Sequence, residues 1–285
     1  MRQIRSRIRV AKNIQQITKA MKMVAAARLR RAQEAVDASR PYAQRLRAMV
    51  QNLASSAGAV QHPLLRQLSG SPRNVGVLLV TGDRGLCGSY NSNAIRRAVE
   101  TIRGFQPNQI RFFCVGRRGA GFFRRRGYEI VFEQPIPATG ASFADAQAIA
   151  QAARAQFENE EIDVLYLVYT QFVTAMTQRP QAIQLLPLEP PEGGAQDANA
   201  APIDFEPDPE SILHELLPGY VDTLVYQAIV ESTASEHGAR MTSMSAATDN
   251  AGKMISGLTL SLNRARQAAI TKEIAEIVGG AEALK

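Results

Sequence analysis

The chain has 285 residues, of which 45% are hydrophobic and 21% charged, a composition typical of a folded protein. No stretch approaches the roughly 18 uncharged apolar residues of a membrane span, and the arginines that follow Met1 argue against a secretory signal. Two cysteines and three histidines are too few and too scattered for a structural zinc site. We therefore expect a soluble protein that faces the cytosol.

The net charge of +7 is unevenly distributed. Residues 1–52 carry thirteen Lys or Arg and two acidic residues, whereas residues 180–239 carry eleven acidic residues and no Lys or Arg. A nucleic-acid-binding protein would spread positive charge over its working face. The separation favours mutual neutralisation of the two segments instead.

Residues 1–57 are predicted to form one long coiled-coil helix. They contain a single proline, Pro41, and no glycine, and small or apolar residues recur at alternating spacings of three and four. A helix of this length spans about 80 Å and needs an equally long partner. The predicted seam consists of Ile4, Ile8, Ala11, Ile14, Ile17, Met21, Val24, Ala32, Val36, Ser39, Ala43, Leu46, Val50 and Leu53.

Residues 75–188 alternate β-rich runs with helical stretches, which predicts a small, mostly parallel, Rossmann-like α/β domain. A Pro-rich loop, residues 189–208, is expected after it. The predicted strands are residues 75–80, 110–115, 129–132, 163–169 and 182–186, and the predicted helices are residues 92–103 and 143–158.

Residues 209–285 are predicted to form a second long helix, in which Pro218 and Gly219 produce a kink rather than a break. Both long helices leave the same central domain, so they should pair antiparallel. Pairing then ends near Arg266, and about twenty residues of the carboxyl end stay unpaired.

This unpaired end is expected to be an apolar tip. Ten of the last twenty residues are apolar, which is unfavourable in water and implies a surrounding apolar sleeve. The tip residues are Ile270, Ile274, Ile277 and Val278.

The segment TGDRGLCGSYN (residues 81–91) follows a predicted strand, where glycines can present backbone N–H groups to phosphate. The spacing of Gly82, Gly85 and Gly88 does not match G-x-G-x-x-G, and no P-loop lysine follows. We favour a tight turn whose Asp83 and Arg84 make a surface contact. A nucleotide-binding enzyme that uses the Gly82–Gly88 loop remains an alternative.

The two cysteines are expected to be structural. Cys87 lacks the histidine and acid of a nucleophile signature, and Cys114 lies inside an apolar strand. A second alternative, a basic coiled coil that binds nucleic acid, rests on the first helix. Its charges continue to Arg47 and its seam is rich in small residues rather than leucine, so we favour charged flanks that face acidic loops of a partner.

Several segments resemble the gamma-subunit family of the F-type ATP synthases, over essentially the full chain. They are residues 4–32, GDRGLCGSYN, EPDP (206–209), ATDNA (247–251) and the terminal ITKEIAEIVGGAEA (270–283). The last fits the family pattern I-T-x-E-x-x-[DE]-x-x-x-G-A at Ile270, Thr271, Glu273, Glu276, Gly280 and Ala281. The regulatory insertion with a cysteine pair, found in chloroplast and cyanobacterial relatives, is missing, so the resemblance is to the bacterial type.

The resemblance implies a non-catalytic rotor shaft that binds no cofactor, metal or nucleic acid. Its antiparallel helices would pass through a hexameric sleeve of alpha and beta subunits, and its globular domain would meet the epsilon subunit and the membrane c-ring. The complex would lie on the cytoplasmic side of the bacterial inner membrane, and the chain would reach the membrane only through that complex. The beta-contacting residues implied by the resemblance are Met21, Lys22, Asp83, Arg84, Arg266, Gln267 and Thr271.

Overall fold

The computed structural model describes residues 1–56, 62–66, 70–137, 140–188 and 209–282. The predicted Pro-rich loop 189–208 lies outside these residues. The described helices are α1 (Arg2–Ser56), α2 (Tyr90–Thr101), α3 (Arg117–Arg124), α4 (Phe143–Glu158) and α5 (Pro209–Glu282). The described strands are β1 (Val75–Val80), β2 (Ile110–Val115), β3 (Glu129–Gln134), β4 (Val164–Phe172) and β5 (Gln178–Leu186).

The strands form one sheet in the order β3-β2-β1-β4-β5. The first four are parallel, and β5 runs antiparallel to β4. The short connection between β4 and β5 allows a hairpin but no crossover, which fixes this antiparallel pair. Every residue of β1 is buried, as expected for a central strand covered on both faces.

Helices cover both faces of the sheet. On one face α2 and α3 pack on alternate residues of the strands, such as Val77 and Leu79 of β1. On the other face α4, α5 and the end of α1 pack on the remaining residues, such as Leu78 and Val80. The predicted fold class is therefore confirmed: a mostly parallel α/β domain joined to a long antiparallel pair of terminal helices, which we call the rod.

The rod has an apolar seam where it lies beside the sheet. Leu29 and Val36 of α1 pack with Val230 and Ala234 of α5 in one cluster. Further along α1, Leu46, Val50 and Leu53 join the main core with Leu213 and Leu217. This end of the rod, near Leu53, is its base.

Part of the predicted seam is wrong. Ile14, Ile17 and Val24 are exposed, and the residues that face α5 are the ones that follow them, Gln15, Thr18 and Ala25. The three-four spacing persists through this stretch, but its members there are polar or small. The apolar residues of this stretch therefore predicted the wrong face of α1 as the one that contacts the partner helix.

The facing part of α5 explains this arrangement. Ser245 and Thr248 of α5 bind side chains of α1, and Gly252 lies against the side-chain amide of Gln15. The small residues of α5 leave room for polar side chains of α1 to pack closely against it.

The second long helix continues through Pro218 and Gly219 without a break. No described helix combines the length and the apolar character needed to cross a membrane.

Candidate functional site

The free end of α5 extends past the end of α1. The Thr248 hydroxyl donates a hydrogen bond to Thr18 Oγ1 (2.8 Å), and the helices are antiparallel, so each step along α1 moves one residue back along α5. This register places Met1 level with residues 265–266. The expectation that pairing ends near Arg266 is confirmed.

The predicted tip residues lie on this free end. Residues 271–278 are all exposed, and the exposed fractions of Ile270, Ile274, Ile277 and Val278 range from 48% to 71%. Their spacing places them in one stripe along the helix. Within the described part of the chain nothing covers this stripe, and contiguous exposed apolar residues mark surfaces that another molecule covers. The predicted contact residues Arg266, Gln267 and Thr271 are exposed at the start of the same segment.

A second apolar stripe lies on the outer face of α1. Val10, Ile14, Ile17 and Val24 are exposed at spacings of three, four or seven, and the half-buried Met21 completes the row. The sequence analysis assigned all but the first of these residues to the coiled-coil seam. The structure places them on the surface instead, at the end of the rod that carries the tip.

A groove with a volume of ≈ 760 Å³ separates α1 from the turn after β1. This volume lies in the range of about 300–1,000 Å³ that is usual for ligand pockets. Met21 and Val24 provide apolar side chains on one wall, and Arg28, Arg84 and Arg118 add positive charge. Predicted contact residues from two distant parts of the sequence, Met21 and Arg84, thus line one cavity.

Two other predicted contact residues have partners inside the chain. Lys22 donates a hydrogen bond from Nζ to Ser245 Oγ (3.0 Å) across the rod. The Asp83 carboxylate accepts hydrogen bonds from the backbone N–H groups of Arg117 (2.9 Å) and Ile136 (3.1 Å). Asp83 therefore ties the turn after β1 to the start of α3 and to the segment after β3.

The turn after β1, residues 82–88, which we call the glycine loop, is poorly suited to hold phosphate. The Gly82 N–H is already bound to Asn91 Oδ1 (2.8 Å), and Asn91 Nδ2 donates to Arg84 O (3.2 Å). The Asp83 carboxylate lies at the amino end of α3, where a phosphate would otherwise be favoured. The local geometry does not favour the nucleotide alternative.

The glycine loop is fixed to α5 by a charged contact. Arg240 Nη2 donates to Gly85 O (3.3 Å), and the same guanidinium forms an ion pair with Glu236. A Cβ atom on Gly82 would lie 2.8 Å from the Glu236 carboxyl carbon, so a larger residue here would displace the Glu236 carboxylate. The hydrogen bond to Gly85 and the close approach of Gly82 hold the loop against the rod.

Leu86 is a surface residue that the sequence analysis did not single out. Its φ angle is +62°, in the left-handed region, and 61% of its surface is exposed. A non-glycine residue in this region costs about 1–2 kcal/mol. The available signal was a large apolar residue within an otherwise small and polar loop. A strained, exposed leucine beside the groove is a candidate contact residue.

Burial shifts the pKa values of two titratable groups near the loop. Burial, reinforced by Arg240 and Arg28, lowers the pKa of His237 to about 4, so its imidazole is neutral near pH 7. Burial raises the pKa of the Cys87 thiol, and Glu236 raises it further, which keeps the sulfur protonated. Cys114 is buried too, and no three His, Cys, Asp or Glu residues among those described come together as a metal site.

One stretch of α5, residues 228–236, is buried throughout, between the sheet and α1. Ser232 Oγ accepts a hydrogen bond from the Thr170 N–H (3.0 Å), and Ser235 Oγ donates to Thr170 O (3.1 Å). Just beyond, the β4–β5 hairpin lies so close that a Cβ atom on Gly238 would be 3.1 Å from Ala175 O. The rod is therefore joined to the sheet through α5.

This architecture is similar to chains in solved rotary assemblies. One is in the cryo-EM structure of the Euglena gracilis mitochondrial ATP synthase OSCP/F1/c-ring (TM-score 0.74, 19% identity, 99% of this chain and 94% of that chain covered). Another is in the Tetrahymena thermophila mitochondrial ATP synthase central stalk/c-ring (TM-score 0.62, 24% identity, 81% and 99% covered). At these identities the similarity defines the fold class, a rod joined to a small α/β domain.

Sequence comparison goes further. A family model described as ATP synthase matches residues 1–284. The chain is 47% identical over 287 residues to the ATP synthase gamma chain of Pelotomaculum thermopropionicum and 50% identical over 284 residues to that of Desulfitobacterium hafniense, with 100% of this chain and 99% of each relative covered. The chain belongs to the ATP synthase gamma-chain family, as the sequence motifs indicated.

Proposed function

We propose that this chain is the central shaft of a rotary ATP synthase and has no active site of its own. It would couple rotation in the membrane sector to conformational change in the subunits around it. The observation that carries the proposal is the free end of α5, whose exposed apolar stripe has no cover within the described chain. Full-length similarity to gamma chains supports the same function.

In this proposal the chain divides into functional parts. Residues 1–57 and 209–285 form the shaft inside a hexameric sleeve of alpha and beta subunits. Residues 75–188 form the globular domain, which with the loop 189–208 would meet the epsilon subunit and the c-ring. The complex would act at the cytoplasmic side of a bacterial inner membrane, and the two stripes on the rod support the sleeve assignment because both lie towards the same end.

The mechanism follows from the asymmetry of the shaft. The groove and Leu86 lie on one side of the rod, so each of the surrounding catalytic subunits would face a different surface. Rotation of the shaft would present these surfaces to each surrounding subunit in turn. Switching a site between 1:99 and 99:1 populations requires about 5.5 kcal/mol of difference in interaction. Linkage makes the coupling reciprocal, so ATP hydrolysis on the partner subunits would turn the shaft.

The contact residues then have distinct roles. Met21 and Arg84 line the groove and suit an acidic loop of a beta subunit that also carries apolar side chains. Arg266, Gln267 and Thr271 would contact a beta subunit near the tip, where they are exposed. Lys22 and Asp83, which have internal partners, would act by holding the rod and the loop in place.

Reconstitution tests this function. The purified chain should show no ATPase activity, and adding it to alpha and beta subunits should give ATPase activity and one-directional rotation of a bead attached to the globular domain. Activity that is independent of the chain, or a bead that does not turn, would contradict the shaft function. Tight nucleotide binding by the chain alone would favour the enzyme alternative, and retention on DNA with a steep salt dependence would favour the nucleic-acid alternative.

A truncated chain provides the sharper experiment. A chain that ends at residue 265 keeps the complete α1–α5 pairing and loses only the free end. We expect it to assemble with alpha and beta subunits but to turn with lower torque. Loss of all assembly would show that the tip is a folding element rather than a contact surface.

A further inference from the structure

The groove between α1 and the glycine loop is built from five separate parts of the chain. Its lining residues come from α1, the glycine loop, α3, the segment after β3 and α5. With a volume of ≈ 760 Å³ it has room for a whole small molecule as well as for a side chain of a partner. The chemistry of its lining then decides which class of molecule fits.

The charged side chains of the groove leave an excess of positive charge. The lining arginines are Arg28, Arg84, Arg118 and Arg240, and the lining carboxylates are Asp83 and Glu236. Both carboxylates are already engaged, because Glu236 pairs with Arg240 and Asp83 accepts two backbone N–H groups. The other three arginines form no ion pair with a carboxylate in the described part of the chain. The groove therefore favours an anion.

The arginines of the groove act on one shared space. Arg118 Nη2 lies 3.2 Å from the position of a Cβ atom on Gly85, and Arg240 Nη2 donates to Gly85 O (3.3 Å). Burial lowers the pKa of His237 to about 4, and the positive charges of Arg240 and Arg28 lower it further. The positive charge of the groove therefore comes from arginines and stays constant near pH 7.

Apolar side chains line the rest of the groove. Met21 and Val24 of α1 form one wall, Ile136 and Pro137 lie on another, and Leu86 belongs to the glycine loop. Val24 and Leu86 are both more than half exposed. An anionic head alone would leave these side chains in water, whereas an uncharged apolar molecule would leave the arginines without an anion. The combination selects a molecule that carries both.

We propose that the groove binds a small amphipathic anion, a carboxylate with a hydrocarbon body, and that the bound molecule regulates the chain. Guanidinium groups bind carboxylates through paired N–H donors, and the flexible Met21 side chain adapts to a hydrocarbon chain. The regulatory part rests on the proposed function, in which the same groove takes an acidic loop of a beta subunit. The two occupants compete for one space, so the anion weakens coupling.

Binding is tested by calorimetric titration of the full-length chain with decanoate. Decan-1-ol lacks the charge of this probe, acetate lacks its hydrocarbon body, and we expect both to bind at least about tenfold more weakly. Arg28→Gln/Arg118→Gln should weaken decanoate binding by about tenfold or more and leave decan-1-ol binding unchanged.

Two control variants locate the site. Arg45→Gln/Arg179→Gln removes the same charge from exposed arginines outside the groove. Ile274→Ser/Ile277→Ser removes apolar surface from the exposed tip, where a hydrocarbon chain could also bind. Both should bind decanoate as the wild-type chain does.

Equal binding of decanoate and decan-1-ol, or of decanoate and acetate, would overturn the proposed site. Equal weakening by both arginine variants, or weakening by the tip variant alone, would do the same. Binding to phosphatidylglycerol vesicles without binding of monomeric decanoate would assign the positive charge to a membrane surface instead.

Regulation is measured as ATPase activity of the chain with alpha and beta subunits at increasing decanoate concentration. The Arg28→Gln/Arg118→Gln variant should need about tenfold more decanoate than the wild-type chain for the same fractional loss. Equal sensitivity of both would overturn the regulatory part. Failure of the wild-type chain to assemble with alpha and beta subunits in the absence of decanoate would count against the proposed function, whereas the binding result with the chain alone would stand.

Discussion

The guanidinium of Arg240 on α5 donates a hydrogen bond to the carbonyl oxygen of Gly85, 3.3 Å away, although the residues are 155 positions apart. The same side chain pairs with Glu236, and both charged side chains are nearly buried, with 12% and 9% of their surface exposed. The glycine loop and the rod therefore share a contact that water reaches poorly. Any movement of the loop relative to α5 must break the hydrogen bond between Arg240 and Gly85.

Removing the Arg240 side chain should lower the stability of the fold. Arg240→Ala leaves the Glu236 carboxylate nearly buried without its cation, and we expect the free energy of unfolding to fall by about 3 kcal/mol. Amide hydrogen exchange in the glycine loop should accelerate as well. The control is Lys272→Ala, which breaks the exposed pair with Glu276 and should change stability by less than about 0.5 kcal/mol. Similar losses in both variants would contradict the structural importance of the contact.

Gly116 should tolerate no side chain. Its φ angle is +91°, and a Cβ atom would lie only 2.0 Å from Thr81 O. We expect Gly116→Ala to destabilise the chain by about 3 kcal/mol or more, because both the backbone and its neighbour must move. Gly257→Ala, in an open part of α5, should instead stabilise it by about 0.5–1 kcal/mol. Urea unfolding compares the two, and a tolerated Gly116→Ala would refute the described turn.

His237 should make stability depend on pH. Its pKa is lowered from 6.5 to about 4 in the folded chain, so between these values the unfolded chain binds a proton that the folded chain does not. Stability is therefore lost as the pH falls through this window, by up to about 3 kcal/mol. Other groups titrate there too, so the measured quantity is the difference from His237→Gln. Urea unfolding at both ends of the window should show a smaller loss for the variant, and parallel curves would exclude this role.

Leu86 should show opposite effects on stability and on function. Asparagine tolerates the left-handed region better than leucine, so Leu86→Asn should raise the free energy of unfolding by about 0.5–1 kcal/mol. If Leu86 contacts a subunit of the sleeve, ATPase activity of the reconstituted complex should fall. Met176→Asn, which changes a residue that is 80% exposed and has no positive φ angle, should give no gain in stability. A gain in stability with full ATPase activity would show that Leu86 makes no functional contact with the sleeve.

The sequence contained most of the fold because its patterns are local. Predicted strands 75–80 and 110–115 and helix 143–158 coincide with β1, β2 and α4, since continuous apolar runs and a capped helical period need no distant partner to be recognised. Helix α3 was missed. Its sequence RRGAGFFR contains two glycines and five charged or aromatic residues, and its position depends on packing of Ala120 and Phe123 against the sheet.

The candidate site was harder to predict from the sequence, because its geometry depends on residues that are far apart along the chain. The pattern of α1 could not show that Ser245 and Thr248 would face it, so Ile14 and Ile17 were assigned to the wrong face. Asp83 was expected to face outward, but Arg117 and Ile136 bring their N–H groups to its carboxylate. A positive φ angle at Leu86 likewise follows from the folded loop and not from residue order.

The change in the character of the seam along the rod implies an order in which the two long helices separate. Near Leu29 and Val36 they are joined by interlocking apolar side chains, whereas between Ala11 and Ala25 the residues of α1 that face α5 are small or polar and make hydroxyl and amide contacts that water can replace. Thermal opening should therefore begin at the amino terminus of the chain and stop near Leu29. The amino-terminal helix can thus be threaded or withdrawn at its far end while the globular domain keeps its shape.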